Sequence, residues 1–381
     1  MNSLAAHYSR FRVADRLLLT GHSHQAWPDV AFEAQQQAWL DAADLVDEKW
    51  TRAYEVAARV HQHWKRLLND DAGEIALGQN THELVTRLLS ALPLALRPKL
   101  VTTDGEFHTI RRQLDRLGEQ GLDVLKIPAR PADSLAERFS QAVDDRTACV
   151  LVSSVLFETA EIVPGLDRLA SVCASRGTVL LVDAYHHLNV VPFDIRGMGL
   201  QEAFVTGGGY KYCQLGEGNC FLRVPPGCRM RPVITGWFAE FAALKYAGPR
   251  AVEYPAGAAA FAGATYDPTA HYRAAAVFDF HVAQGLTPER LREVSRHQTG
   301  LLKREFEALD LDPALAAIEP IPDDRRAGFL AIRSPEAGEL HARLRRAGVL
   351  ADYRGDRLRL GPAPYLSDDQ LRAAVAALQE R

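Results

Sequence analysis

Cysteine is scarce in this 381-residue chain: Cys149, Cys173, Cys213, Cys220 and Cys228, an odd number with no Cys-x-x-Cys pair. That pattern argues against a disulfide framework and offers no metal-ligand spacing; it predicts free thiols in a reducing, cytoplasmic setting. The opening MNSLAAHYSRFRVADR lacks the apolar core of a signal peptide. No apolar run approaches the roughly 20 residues that span a membrane. A basic excess is missing too. Against 44 Lys+Arg stand 48 Asp+Glu, and the net charge of −4 gives no electrostatic reason to expect nucleic acid or an anionic membrane as partner. Arg325 and Arg326, and the arginines near 343–346, read as solvated faces. Internal repeats and low-complexity linkers are absent.

What remains is a chain long enough for one large core and a smaller domain. Its 47% hydrophobic and 24% charged residues are the balance of a soluble globular protein. Strands and helices alternate through the middle. KLVTTD (99–104) precedes a helix over 109–120, and DVLKIP (123–128) one over 132–143. ACVLVSSV (148–155) precedes a helix over 166–176 that ends at Gly177, a C-cap. TVLLVDA (178–184), EAFVTGG (202–208) and NCFLRVP (219–225) complete the set. Continuous Val/Leu-rich runs are how buried parallel strands read. The fold class is therefore α/β, with a mostly parallel central sheet flanked by helices. Residues 51–284 form the large domain. Residues 1–50 and 285–381, with the strands GFLAIRS, VLADYR and RLRLGP, form a smaller α+β domain from both termini.

The strongest chemical signal is VTGGGYKYCQLGEGN (205–219). A strand ends in glycines, which let backbone approach a bulky group, and then comes Lys211. A lysine at a strand end in an α/β protein points to the ligand crevice. No Ser or Thr follows it, so this is not a phosphate-binding P-loop. A surface lysine in a flexible turn would give the same string. In LLVDAYHHLN, Asp183 ends an apolar strand. A buried carboxylate there needs a positive partner, and the pyridinium nitrogen of pyridoxal phosphate is one. Asp183 as a turn cap, and His186 and His187 as structural hydrogen-bonders, are the alternatives.

These strings resemble the class V aminotransferase superfamily, fold type I of the pyridoxal-phosphate enzymes, and within it kynureninase. The resemblance rests on GHSHQAWP (21–28), NTHELVTRLL (80–89), GEFHTIRRQ (105–113), VDAYHHLNVVPFDI (182–195), GGGYKYCQLGEGN (207–219), TGWFAE (235–240), FAGATYDP (261–268) and LRLGPAPYLS (358–367), in family order. It implies that Lys211 holds pyridoxal 5'-phosphate as a Schiff base. Asp183 would pair with the ring nitrogen, His186 would lie beside the cofactor, and Phe107 would stack on its face. Asn80 and Thr81 would form the phosphate-binding turn at a helix N-terminus, with Tyr210 also on the phosphate. Trp237 and Thr265 would reach the phosphate from the other subunit of a homodimer. Arg359 would clamp the substrate α-carboxylate, and Ser23 would sit in a loop near the substrate. Phe107 and Trp237 as core aromatics, Arg359 as a surface charge and Ser23 as a turn residue are the simpler readings of the same positions. Ile110 and His22 depart from the family pattern, which has an acid and an asparagine there. The family's aryl-pocket histidine has no match in AADLVDEKWTR (42–52).

The implied activity is hydrolysis of the Cβ–Cγ bond of a γ-keto amino acid such as L-kynurenine. An aminotransferase or lyase on a small amino acid is the alternative, and a catalytically silent protein of the same fold a third. A persulfide-forming desulfurase would need a cysteine well after Lys211, and none follows Cys228. Cys213 and Cys220 read as packing residues.

Overall fold

The computed structural model describes residues 2–246 and 252–379. Its centre is a sheet of seven strands: β1 (Glu74–Gly78), β2 (Lys99–Thr103), β3 (Asp123–Ile127), β4 (Thr147–Ser153), β5 (Val179–Asp183), β6 (Phe204–Gly208) and β7 (Cys220–Val224), in the order β1-β7-β6-β5-β4-β2-β3. The neighbours from β6 through β3 are parallel; β7 runs antiparallel to both β1 and β6. Mostly parallel is thus correct, and NCFLRVP is the strand that departs from it.

Burial follows position in the sheet. Every residue of β4 is buried, as its unbroken TACVLVS predicts for a strand covered on both faces. In β3 only Ile127 is buried, because this strand is the open edge. The opposite edge, β1, is five residues of EIALG, too short and too mixed to stand out in the sequence. Gly177 takes φ +58 just past the helix Leu166–Ser175, the left-handed geometry that favours glycine at a C-cap.

Helices cover both faces of this sheet: α1 (Val30–Leu45), α2 (Lys49–Leu67), α3 (Thr81–Ser90), α4 (His108–Glu119), α5 (Leu135–Ala142), α6 (Leu166–Ser175) and α7 (Thr269–Ala283). In α3, Leu84, Val85, Leu88 and Leu89 are buried, the spacing of one helical stripe. In α4, Ile110 and Leu114 are buried while the arginines and Glu119 stay out. A second core gathers Tyr8 and Leu19 from the start of the chain with Leu302, Leu330, Leu358 and Leu378 from its end. A four-stranded antiparallel sheet, Asp352–Arg354, Arg357–Leu360, Leu330–Arg333 and Ala317–Ile318, belongs to it. The helix α1 packs along α7, and its Ala31 joins the core of the large sheet. Arg326 is not on a solvated face. It is buried, with its guanidinium on Asp323 and on the Ile321 carbonyl, 2.9 Å away, because the loop before Leu330–Arg333 folds back over it. Among the described residues, no helix is long and apolar enough to cross a membrane.

One buried ion pair ties the sheet to the helix that precedes it. Arg223 on β7 is fully buried, and its Nε donates to Asp70 Oδ2 at 2.7 Å; its Nη1 donates to the Gln201 and Ala203 carbonyls, each at 2.7 Å. Asp70 also accepts from the Gly73 amide at 3.0 Å, fixing the turn into β1. Removing one partner would strand a charge inside the protein. Asp70→Ala is therefore expected to cost about 3–5 kcal/mol in urea unfolding, the range for breaking a buried pair from one side; a loss under about 1 kcal/mol would put the pair among exposed ones.

Candidate active site

The C-terminal ends of the parallel strands converge on one cavity, as a doubly wound sheet leads one to expect. Asp183 ends β5 and Ser153 ends β4, paired in register. Gly207 and Gly208 end β6, and the turn after them carries Tyr210 and Lys211. Asn80 follows β1 and caps α3; Phe107 precedes α4 after β2. The cavity, of about 260 Å³, is lined by residues including Asn80, Thr81, Phe107, Asp183, His186, Tyr210 and Lys211.

Lys211 is 4% exposed, which removes the reading of a surface lysine. Its Nζ lies 2.8 Å from His186 Nε2. Burial pushes the amine down to about 7, and the nearby Asp183 carboxylate works against that fall. Burial, followed by the Lys211 charge, holds His186 well below the usual imidazole range, so this ring is neutral. Asp183 is raised by burial, with the Tyr185 amide and the Lys211 charge opposing. Its Oδ1 accepts from the Tyr185 amide at 2.8 Å, so Asp183 caps a turn and also faces the cavity. His187 is structural: buried, with Nε2 3.2 Å from the Pro192 carbonyl.

One end of the cavity is built from α3. Asn80 Oδ1 accepts from the Glu83 amide at 2.9 Å, and Thr81 and His82 of the first turn line the cavity. First-turn amides and the helix dipole favour an anion there. Phe107 also lines the cavity and meets Phe157 edge-on, centroids 5.4 Å apart. Ile110, three residues on in the first turn of α4, is buried in the core, so the position where the family carries an acid supplies no polar group here.

Four expected site residues lie outside the cavity lining. Arg359 is 3% exposed and forked onto Asp352, Nε to Oδ1 at 2.9 Å and Nη2 to Oδ2 at 2.6 Å. Its Nη1 donates to the carbonyl of Phe157, a lining residue, at 2.6 Å. Ser23 sits in a turn, its Oγ on the Thr20 carbonyl at 3.1 Å. Trp237 is 44% exposed, not a core aromatic, and its Nε1 donates to Thr265 Oγ1 at 3.3 Å. Thr265 lines a neighbouring groove of about 980 Å³ with Phe238, Phe241 and Tyr266, and Gln79 lines both this groove and the Lys211 cavity.

Sequence reasoning passed over three neighbours. Glu106, immediately before Phe107, is buried and pushed up to about 7 by that burial. It accepts from Ser153 Oγ at 2.6 Å and Thr103 Oγ1 at 2.7 Å. An acid inside GEFH was the available signal. Asp352 is the second. Burial works to raise it, but the His22 and Arg359 hydrogen bonds prevail and hold it well below the carboxylate range. His22, the departure from the family asparagine, is thereby explained: it is buried with Nε2 2.7 Å from Asp352 Oδ1. The third is Tyr185, taken up below.

Residues 291–378 match the Kynureninase C-terminal domain family. A kynureninase of Bacillus thuringiensis subsp. konkukian (strain 97-27) is 25% identical over 317 residues, covering 79% of this chain and 71% of that protein. An uncharacterized aminotransferase, YcbU, of Bacillus subtilis (strain 168) is 21% identical over 344 residues, 89% of this chain and 87% of its own. By these matches the chain is similar to kynureninases and to an aminotransferase. Among solved structures, a C-DES mutant with glycine covalently linked to its PLP cofactor superposes with a TM-score of 0.84 at 17% identity, over 98% of each chain. The cysteine desulfurase CsdA of Escherichia coli does so at 0.77 and 17%, over 98% of this chain and 96% of that one. At that identity these two show the fold, that of a fold type I enzyme.

The cavity fits pyridoxal 5'-phosphate, the cofactor that the resemblance implies. A buried amine depressed to about 7 suits an aldehyde. Among the described residues only one Asp183 oxygen is engaged by the chain, which leaves the other for a ring nitrogen. His186 Nδ1 is buried without a partner. The α3 N-terminus suits a phosphate. Because Asp183 raises Lys211, Asp183→Asn should lower the amine further. Acetylation of Lys211 by acetic anhydride in the apoprotein, mapped by peptide mass, should show a midpoint near pH 7 that shifts to lower pH in the variant. A midpoint near the free-lysine value of about 10.4 would contradict the assignment.

Proposed function

We propose that this chain hydrolyses the Cβ–Cγ bond of a γ-keto amino acid, L-kynurenine or a close relative, in the cytoplasm. The observation that carries the reading is the match of residues 291–378 to the kynureninase C-terminal family, since that segment holds Arg359 and its partner Asp352. The bound cofactor would supply an aldehyde for the substrate amine and an electron sink for the carbanions that follow.

The chain's own residues divide the remaining work. Arg359 has five N–H donors; three are engaged by Asp352 and Phe157, leaving one on each terminal nitrogen for the substrate carboxylate. Lys211 Nζ, neutral from about pH 7 upward, takes the proton from Cα, and neutral His186 holds Nζ in place. Asp183 would hold the ring nitrogen of the cofactor in its protonated form. Tyr210, whose phenol burial pushes up to about 12, stays protonated at neutral pH and is suited to give a proton at the substrate carbonyl or Cβ. Asn80 and Thr81 would hold the phosphate. Ser23 supports the N-terminal loop, whose His24 stacks on Tyr210 with centroids 4.9 Å apart.

We also assign a homodimer with shared sites. Trp237 and Phe241 are exposed beside the groove that Gln79 joins to the Lys211 cavity, and Tyr54 adds a further exposed ring to it. A second copy seated there would bring Trp237 and Thr265 to a phosphate. Mixing inactive Lys211→Ala chains with inactive Thr265→Ala chains should then restore activity in hybrids. An active monomer in solution scattering would remove the assignment.

The aminotransferase reading is the second one, favoured by the YcbU relative, which matches more of the chain than the kynureninase does. A cysteine-based lyase has less support. Burial raises the thiols of Cys149, Cys173, Cys213, Cys220 and Cys228 away from the thiolate form. The deciding experiment supplies L-kynurenine and its 3-hydroxy form to the loaded enzyme. Alanine and an anthranilate should form without any added keto acid. Stoichiometric transfer of amino groups to a keto acid, with no γ-keto substrate cleaved, would replace hydrolysis by transamination.

A further inference from the structure

Lys211 Nζ lies near three aromatic rings, 4.5 Å from the centroid of Tyr185, 5.1 Å from that of Phe107 and 5.7 Å from that of Tyr210. All three line the same cavity. A planar group joined to Nζ therefore begins in a space that both Phe107 and Tyr185 border.

Three features of the chain keep Tyr185 there. Its amide is held by Asp183 Oδ1 at 2.8 Å, so the acid on the cavity floor also fixes the backbone of this aromatic. Its hydroxyl end runs past β6 at Gly208, where a Cβ would overlap both the Tyr185 oxygen and the Cys220 sulphur. Glycine is thus required at 208 for Tyr185 to pack, a use of the glycine run quite different from close approach to the cofactor. The hydroxyl ends 3.8 Å from Cys220 Sγ, and the ring leans on Tyr210 with centroids 5.0 Å apart. Burial, and then the neighbouring Cys220 and Tyr210, raise the phenol, so the wall carries no charge.

We propose that Tyr185 is a second aromatic wall of the cofactor site, holding the face of the pyridine ring opposite Phe107. The ring acts through its flat, polarisable surface against another flat ring, an interaction that an aliphatic side chain of similar bulk does not reproduce. The hydroxyl serves only to anchor the ring past Gly208. The proposal depends on the cofactor and not on which bond is cleaved. Its test therefore leaves out substrate, and a failure to cleave kynurenine would not touch it.

The test is cofactor affinity of the full-length apoprotein, measured by titration with pyridoxal 5'-phosphate, following the absorbance of the bound form and the quenching of tryptophan emission. Tyr185→Phe should keep the dissociation constant within about threefold, and Tyr185→Leu should weaken it by about tenfold, the size of a lost aromatic contact and its buried area. Far-UV circular dichroism of each apoprotein establishes that it is folded. If the leucine chain is not folded, Tyr185→Met, whose flexible side chain adapts to irregular space, takes its place under the same threshold. Retention of affinity within threefold by the aliphatic variant would overturn the proposal. So would an equal loss in Tyr185→Phe, which would give the holding role to the hydroxyl.

Discussion

A lysine amine buried beside a carboxylate and a neutral imidazole is the constraint around which this molecule is arranged. Taking an ammonium out of water is expensive, so burial drives Lys211 toward its neutral form, while Asp183 keeps the fall from going further. The outcome is an amine close to half-protonated at neutral pH, able both to attack a carbonyl carbon and to carry a proton. To hold it there the fold needs two strand ends side by side, β5 for Asp183 and β6 for the glycine turn, in register at Asp183 and Thr206. The parallel sheet supplies that adjacency, and helices on both faces supply the low dielectric.

Around this centre the same residues serve packing and chemistry together. Asp183 faces the cavity with one oxygen and fixes the Tyr185 backbone with the other. Gly208 ends a strand and makes room for Tyr185. Arg359 is aligned by Asp352, which is itself held by His22 from the opposite end of the chain. Asp352 thus adds a side-chain link between the N-terminal loop and the C-terminal sheet to the backbone pairing of Leu17 and Leu18 with Val349 and Leu350.

Much of this was legible in the sequence, and the exceptions have physical reasons. The buried strands TACVLVS and VLLVD were readable because a strand covered on both faces is uniformly apolar. Lys211 and Asp183 were readable as cavity residues from their places near strand ends, whereas His186, Phe107 and Asn80, which line the same cavity, were assigned to the site by the resemblance. The edge strand β1 was not, since five residues of EIALG carry no period. Arg326 looked like surface charge because sequence does not show which loop folds back over it. Tyr185 was passed over for a related reason: an aromatic in DAYHH reads as one more turn residue until the strand beside it is seen to carry glycine at 208. Asp352 stands seven residues from Arg359, and only the hairpin between them brings the pair together.

The central claim is that the buried amine of Lys211 is the covalent anchor of the cofactor. The direct measurement is borohydride reduction of the cofactor-loaded protein followed by peptide mass mapping. The account predicts a single reduced pyridoxyl adduct, on Lys211, and no visible cofactor band in Lys211→Ala. An adduct on another lysine, with Lys211 unmodified, would contradict it.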